Sequence, residues 1–163
     1  MNTELYIPAT AEKIKKVEDL LLVHCGTQMK NIWLLGLNIG CRIDELLSLK
    51  FSDLDRDMKQ IKLSRDRHKN TLDLYLTPVA TEILSSIREK YPKDEFIFQC
   101  KNRQTLIIHE PKPIAIKAVN KAFKKVGDIL NVKLLPHSMR ASVLKSLAVS
   151  ESVPSNFVGR LKS

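Results

Sequence analysis

Three side chains in this chain of 163 residues are of the right types to act together on one anion. Arg42 lies in "GCRIDELLSLKFSDLD", residues 40–55, where a glycine turn meets an amphipathic helix whose Ile43, Leu46 and Leu47 recur at helical spacing. A guanidinium is out of place at the start of a helix that is otherwise apolar on its inner face. Far downstream, "LLPHSMRAS" carries His137 and Arg140. Three positions apart on a helix, these two project about 60° from each other, so both can face one small target. They also fall in the first turns of that helix, where free backbone N–H groups favour an anion. Two arginines can fork around the non-bridging oxygens of one phosphodiester. A histidine beside them can donate to the phosphate or move a proton. Such a set suits in-line attack on phosphorus, where charge builds on the equatorial oxygens. Each residue alone has a plainer reading: Arg42 as an ion-pair partner of Asp44 or Glu45, His137 as a helix-start residue. His24, His68 and His109 have no metal-ligand spacing and read as structural or exposed.

The elements that must hold these residues follow from hydrophobic period and turn chemistry. "AEKIKKVEDLLLVHC" predicts a first helix, with Thr10 as N-cap, Glu12 in the first turn, and Ile14, Val17 and Leu21 inward. "QMKNIWLLGLNI" predicts a nearly apolar, central second helix that Gly40 ends. The helix of "RIDELLSL" follows at once. The period then changes: "QIKLS" and "LDLYL" alternate as strands, with "RDRHKN" as the hairpin loop between them. "TPVATEILSSIREKY" reads as a helix capped by Thr77, with Pro78 at its first position and Val79, Ile83, Leu84 and Ile87 buried. "EFIFQC" suggests a third short strand. After the "HEPKP" loop, "IAIKAVNKAFKKVGDIL" predicts a helix with a core face of Ala118, Val119, Ala122, Phe123 and Val126. Lys117, Lys121, Lys124 and Lys125 lie mostly on the other side, as a solvated face or a DNA contact. "PHSMRASVLKSLAV" is the last helix, with Pro136 near its start. The expected fold is a mainly helical α+β domain with a small antiparallel three-stranded sheet.

Composition bounds the partner. Lys and Arg number 27 against 18 Asp and Glu, a net charge of +9, which points to nucleic acid, an anionic membrane surface or acidic protein. The length suits one compact domain, and 44% hydrophobic residues can fill its core. Cys25, Cys41 and Cys100 are odd in number and form no CxxC pair, which argues against a disulfide framework or a zinc site. No signal peptide is visible, and "IWLLGLNIGC" is too short to span a bilayer. A cytoplasmic, nucleoid-associated location is the expectation.

Taken together, the motifs resemble the tyrosine recombinases, the phage-integrase class of site-specific DNA recombinases, along nearly the whole chain as their catalytic domain. "YIPATAEKIKKVEDLL" is similar to that domain's opening helix, "GCRIDELLSLKFSDLD" to its first arginine box, "LYLTPVATEIL" to the strand-to-helix passage after its hairpin, and "LLPHSMRAS" to its His-x-x-Arg box. The resemblance implies that Arg42 and Arg140 grip the scissile phosphate and that His137 hydrogen-bonds it or shuttles a proton, with Glu45 in support. A hairpin lysine that protonates the leaving 5′-oxygen falls best on Lys69. Arg67 lies close to the same offset and is a DNA-binding candidate beside Lys117, Lys121 and Lys124. The resemblance further implies double-stranded DNA as partner, a parent acting as a tetramer on paired sites, and chemistry with no metal and no nucleotide cofactor.

The pattern departs from the family in one respect. Its nucleophile is a tyrosine beyond the His-x-x-Arg box, but Tyr6, Tyr75 and Tyr91 all precede Arg140. In "NFVGRLKS", Leu161 matches the family's leucine, and Lys162 and Ser163 stand where glycine and histidine are usual, so Ser163 holds the possible third-ligand position. Residues 1–163 are therefore read as a recombinase catalytic domain without its tyrosine segment and without the N-terminal core-binding domain. Two alternatives compete: a non-catalytic DNA-binding remnant or regulator derived from an integrase, and a basic helical protein-interaction module.

Overall fold

A computed structural model of the chain describes residues 4–64, 71–101 and 110–149. It divides into two compact units, one built from Met1–Ile43 with Lys117–Ser163, the other from Asp44–Ile116.

The first unit is helical. Helix α1 (Ala11–Cys25) starts as its sequence directs: the Thr10 side chain accepts a hydrogen bond from Lys13 N at 3.2 Å. Gly26, at φ 95°, turns the chain directly into α2 (Thr27–Ile39). Few residues other than glycine tolerate that φ. Trp33, fully buried, ties three helices together. Its indole Nε1 donates to the Ile14 carbonyl at 3.3 Å, and its ring meets Phe123 edge-on at 5.8 Å between centroids. Phe123 belongs to α5 (Ile116–Leu130), whose inner face is Val119, Ala122, Phe123 and Val126. Ala118, expected in that face, is exposed. It precedes Val119 by one position, about 100° around the helix, which carries it off the stripe. Helix α6 (His137–Val149) completes the unit.

The second unit holds the sheet. Helix α3 (Ile43–Leu47) leads through a 3-10 turn at Phe51–Asp53 to strands β1 (Gln60–Ser64) and β2 (Thr71–Tyr75). The strands pair antiparallel with Ile61 opposite Leu74 and Leu63 opposite Leu72. Ile61, Leu63 and Leu74 are buried, so the strand alternation of the sequence sets the register. Thr77 caps α4 (Pro78–Lys90) by accepting from Ala80 N at 3.1 Å. Ala80, Leu84 and Ile87, spaced four and three apart, face inward. Val79, expected to be buried, is 52% exposed because it sits one position off that stripe.

The third strand expected at "EFIFQC" does not form; among the described residues the sheet has two strands. Residues 95–100 make only isolated bridges, Lys50 to Phe96 and Gln99 to Pro113. The reason is local. The Gln99 side chain accepts from both Glu95 N at 2.9 Å and Phe96 N at 3.2 Å, which curls the backbone and takes up donors a ladder would need. Ile97 and Phe98 still enter the core, so the apolar content of the stretch was read correctly and its geometry was not.

Candidate nucleic-acid interface

The three chemically suited residues all belong to the first unit, and two close contacts position them. At the end of α2, Gly40 takes the left-handed conformation (φ 73°, ψ 20°) and its N–H caps the Gly36 carbonyl at 2.9 Å. Cys41 turns inward and is buried, which leaves Arg42 exposed between α2 and α3. The same turn of α2 that Gly40 caps receives α6. A Cβ on Gly36 would lie 2.9 Å from Met139 Cε and closer still to its sulfur, so the missing side chain is what admits Met139. Met139 stands between His137 and Arg140. Its seat on Gly36 therefore fixes the phase of α6 against the helix that leads to Arg42.

The approach to α6 is equally constrained. Helix α5 closes with Asn131 in the left-handed region (φ 57°), with Val132 N donating to Gly127 O at 2.8 Å and Asn131 N donating to Asp128 O at 3.3 Å. That pair of bonds is a Schellman cap. A Cβ on Gly127 would lie 2.7 Å from the Val132 carbonyl oxygen, so only glycine allows the turn to fold this tightly onto the helix. The chain then pairs with the N-terminal segment, Tyr6 N donating to Lys133 O at 2.8 Å. Helix α6 begins with a reciprocal bond set: Leu135 N donates to Ser138 Oγ at 3.1 Å and Ser138 N to Leu135 O at 2.8 Å. Ser138, Met139, Ser142 and Val143 form the buried side of α6. His137 is exposed and Arg140 half-buried, so the pair occupies the opposite edge, as the three-residue spacing predicted.

Arg140 has one further property. Its Nε is buried and makes no hydrogen bond to any described residue. A buried guanidinium N–H without an acceptor is costly, on the order of 1–3 kcal/mol.

His137 also lies at one end of a groove of about 1170 Å³ that runs between α5 and the segment leading into α6. The α5 wall carries Lys117, Lys121 and Lys124, three of the lysines singled out in the sequence, and Ile43, the neighbour of Arg42, lines the groove too. Lys124 pairs with Asp128 at 3.0 Å. Glu45 stands half-buried on α3, in the second unit. Lys69, Arg67 and Ser163 fall outside the described residues. Among the described residues, no group of three or more His, Cys, Asp or Glu could hold a metal ion, and no helix is long and apolar enough to cross a membrane.

Sequence reasoning missed the residues that set this geometry, namely Gly36, Gly127, Asn131 and Ser138. The two glycines did leave a signal, since a glycine inside a helical pattern costs about 1 kcal/mol against alanine and usually has a packing reason.

Comparison with known proteins places the geometry in context. The model of the phage integrase family matches residues 11–161. No curated protein matches the sequence. Among solved structures, the Tn1549 transposon integrase in complex with circular intermediate DNA is similar in fold, with TM-score 0.73 and 16% identity over 99% of this chain and 59% of that one. XerA recombinase gives TM-score 0.71 and 15% identity over 99% and 56%. A lambda integrase tetramer bound to a Holliday junction gives TM-score 0.71 and 14% identity over 99% and 47%. The chain thus spans about half to three-fifths of the length of these structures.

Proposed function

Because the chain belongs to the phage integrase family, we propose that it is the catalytic domain of a tyrosine-type site-specific DNA recombinase. In the parent protein, Arg42 and Arg140 hold the two non-bridging oxygens of the scissile phosphate, and His137 donates to that phosphate or passes a proton. Charge that builds on the non-bridging oxygens during in-line attack is met by fixed guanidinium groups. A tyrosine attacks and the 5′-oxygen leaves. The 3′-phosphotyrosyl bond conserves the energy of the broken phosphodiester, so rejoining needs no nucleotide. Lys69 is the proposed proton donor to the leaving oxygen, because an arginine gives up a proton poorly. Double-stranded DNA is the proposed partner and a tetramer on paired sites the proposed assembly. Support comes from the similarly folded integrases that are bound to DNA, one of them as a tetramer.

The observation that carries the reading is the Nε of Arg140, buried and without a hydrogen-bond partner among the described residues, three residues beyond His137 in the first turn of α6. The second reading is a DNA-binding remnant or regulator derived from an integrase. One experiment separates the two. The chain is extended with a tyrosine-bearing segment from a family member and given a nicked suicide substrate, and products are run on a denaturing gel. A covalent adduct that Arg140→Ala abolishes supports the enzyme. An extended chain that binds the substrate and yields no adduct supports the remnant.

A further inference from the structure

The groove beside His137 is lined by two asparagines, and the fold accounts for one of them. Asn131 ends α5 in the left-handed region (φ 57°), which asparagine tolerates better than most residues. Asn120 has no such duty. It lies in the interior of α5, past the first turn, so it cannot cap the helix. Asparagine there costs up to about 0.7 kcal/mol against alanine, because its amide competes with the helix backbone. The Asn120 side chain is exposed and makes no hydrogen bond to any described residue. Its neighbours on the same face are charged: Lys117 precedes it by three positions, and Lys121 and Lys124 follow by one and four. By helical geometry the four side chains share an arc of about 100° and about 10 Å of the helix axis. Ammonium groups so spaced suit phosphates, which position a protein and carry no sequence information. The carboxamide differs in kind. It donates and accepts at once, and adenine presents the matching pair, N7 and N6–H, in a major groove wide enough to admit an α-helix.

We propose that Asn120 is a specificity-determining residue that reads one adenine in the major groove, while Lys117 and Lys121 hold phosphates on either side of it. The Asn120 Oδ1 accepts from adenine N6–H and its Nδ2 donates to N7. The inference rests on the recombinase reading, since it takes duplex DNA as the partner. It adds what that reading lacks, a side chain able to tell one base from another. One such contact reads a single base pair, so discrimination over a whole site stays low.

The test uses the full chain and a pool of short DNA duplexes randomised at their central positions, with the bound and free fractions sequenced. Salt slopes are read on one duplex by fluorescence anisotropy. The unaltered chain is expected to enrich adenine at one position about tenfold, a preference of about 1.4 kcal/mol. Asn120→Ala should abolish that preference and leave the slope of log K against log salt as it was. Asn120→Arg should move the preference to guanine, whose O6 and N7 accept a forked guanidinium. Lys121→Ala should keep the adenine preference and reduce the slope by about 1. Asn120 and Lys121 are both exposed, so far-UV circular dichroism should not change. Duplex binding without any base preference, or with one that Asn120→Ala retains, overturns the proposal and leaves the recombinase reading standing. Uniform weakening of all duplexes by Asn120→Ala overturns it by making the amide a phosphate contact. No affinity for any duplex at low salt overturns the recombinase reading itself, and the proposal with it.

Discussion

Arg140 and Arg42 are held in different ways, and the difference governs what each substitution should do. Arg140 leaves its helix half-buried, with Nε inside and without an acceptor among the described residues, while Arg42 is exposed at a three-residue junction. If both meet one phosphate, Arg140→Ala should lower duplex affinity by about tenfold and reduce the slope of log K against log salt by about 1. Arg140→Lys should recover the slope, because one charge is restored, and not the affinity, because an ammonium cannot fork. Fluorescence titration across a salt series checks both. Cys25 is a separate case. Partial burial pushes its thiol up from the usual range, a shift that the nearby Lys125 ammonium opposes. Less thiolate at mildly alkaline pH should make Cys25 react more slowly than free cysteine with a disulfide reagent, followed by mass spectrometry.

Helix ends set the geometry at the scale of elements. Replacing Gly127 by alanine should gain about 1 kcal/mol of helix propensity. The new methyl would press on the Val132 carbonyl oxygen at 2.7 Å, a backbone atom that cannot rotate away. Overpacking of that kind costs about 1–3 kcal/mol, so the clash outweighs the propensity. Denaturant unfolding of Gly127→Ala should show a net loss of up to about 2 kcal/mol, with the turn into α6 displaced. In the second unit, Thr77→Ala removes the side-chain cap on Ala80 N and should cost about 1 kcal/mol in the same assay. Periodicity and caps made most of these elements legible beforehand. The sequence reading of α1 as residues 11–25 and of β1 as residues 60–64 agrees with their bounds. The failures were tertiary. Nothing in "EFIFQC" says that Gln99 will bond back to Glu95 and Phe96, since a glutamine extends equally well into solvent. Val79 and Ala118 are apolar, yet each lies one position off its buried stripe, and composition alone could not remove them. At the site, the types and spacing of Arg42, His137 and Arg140 were legible because they are chemical. The notch at Gly36 that seats Met139 was not, because it requires two helices to be placed together.

At the scale of the whole molecule, a net charge of +9 would set the character of the proposed DNA binding. Affinity should be carried chiefly by phosphates, fall steeply with salt and discriminate poorly among sequences. The 163-residue chain by itself should yield no covalent adduct with a nicked suicide substrate on a denaturing gel, since no tyrosine follows Arg140. The central claim is that residues from two distant segments act on a single phosphate, and a double-mutant cycle tests it most directly. Duplex binding is measured for the parent chain, Arg42→Ala, Arg140→Ala and the double variant at one salt concentration. Side chains that share a ligand atom group should show a coupling energy of about 0.5–3 kcal/mol. Losses that add to within about 0.3–0.5 kcal/mol would place the two guanidiniums on separate anions and contradict the account.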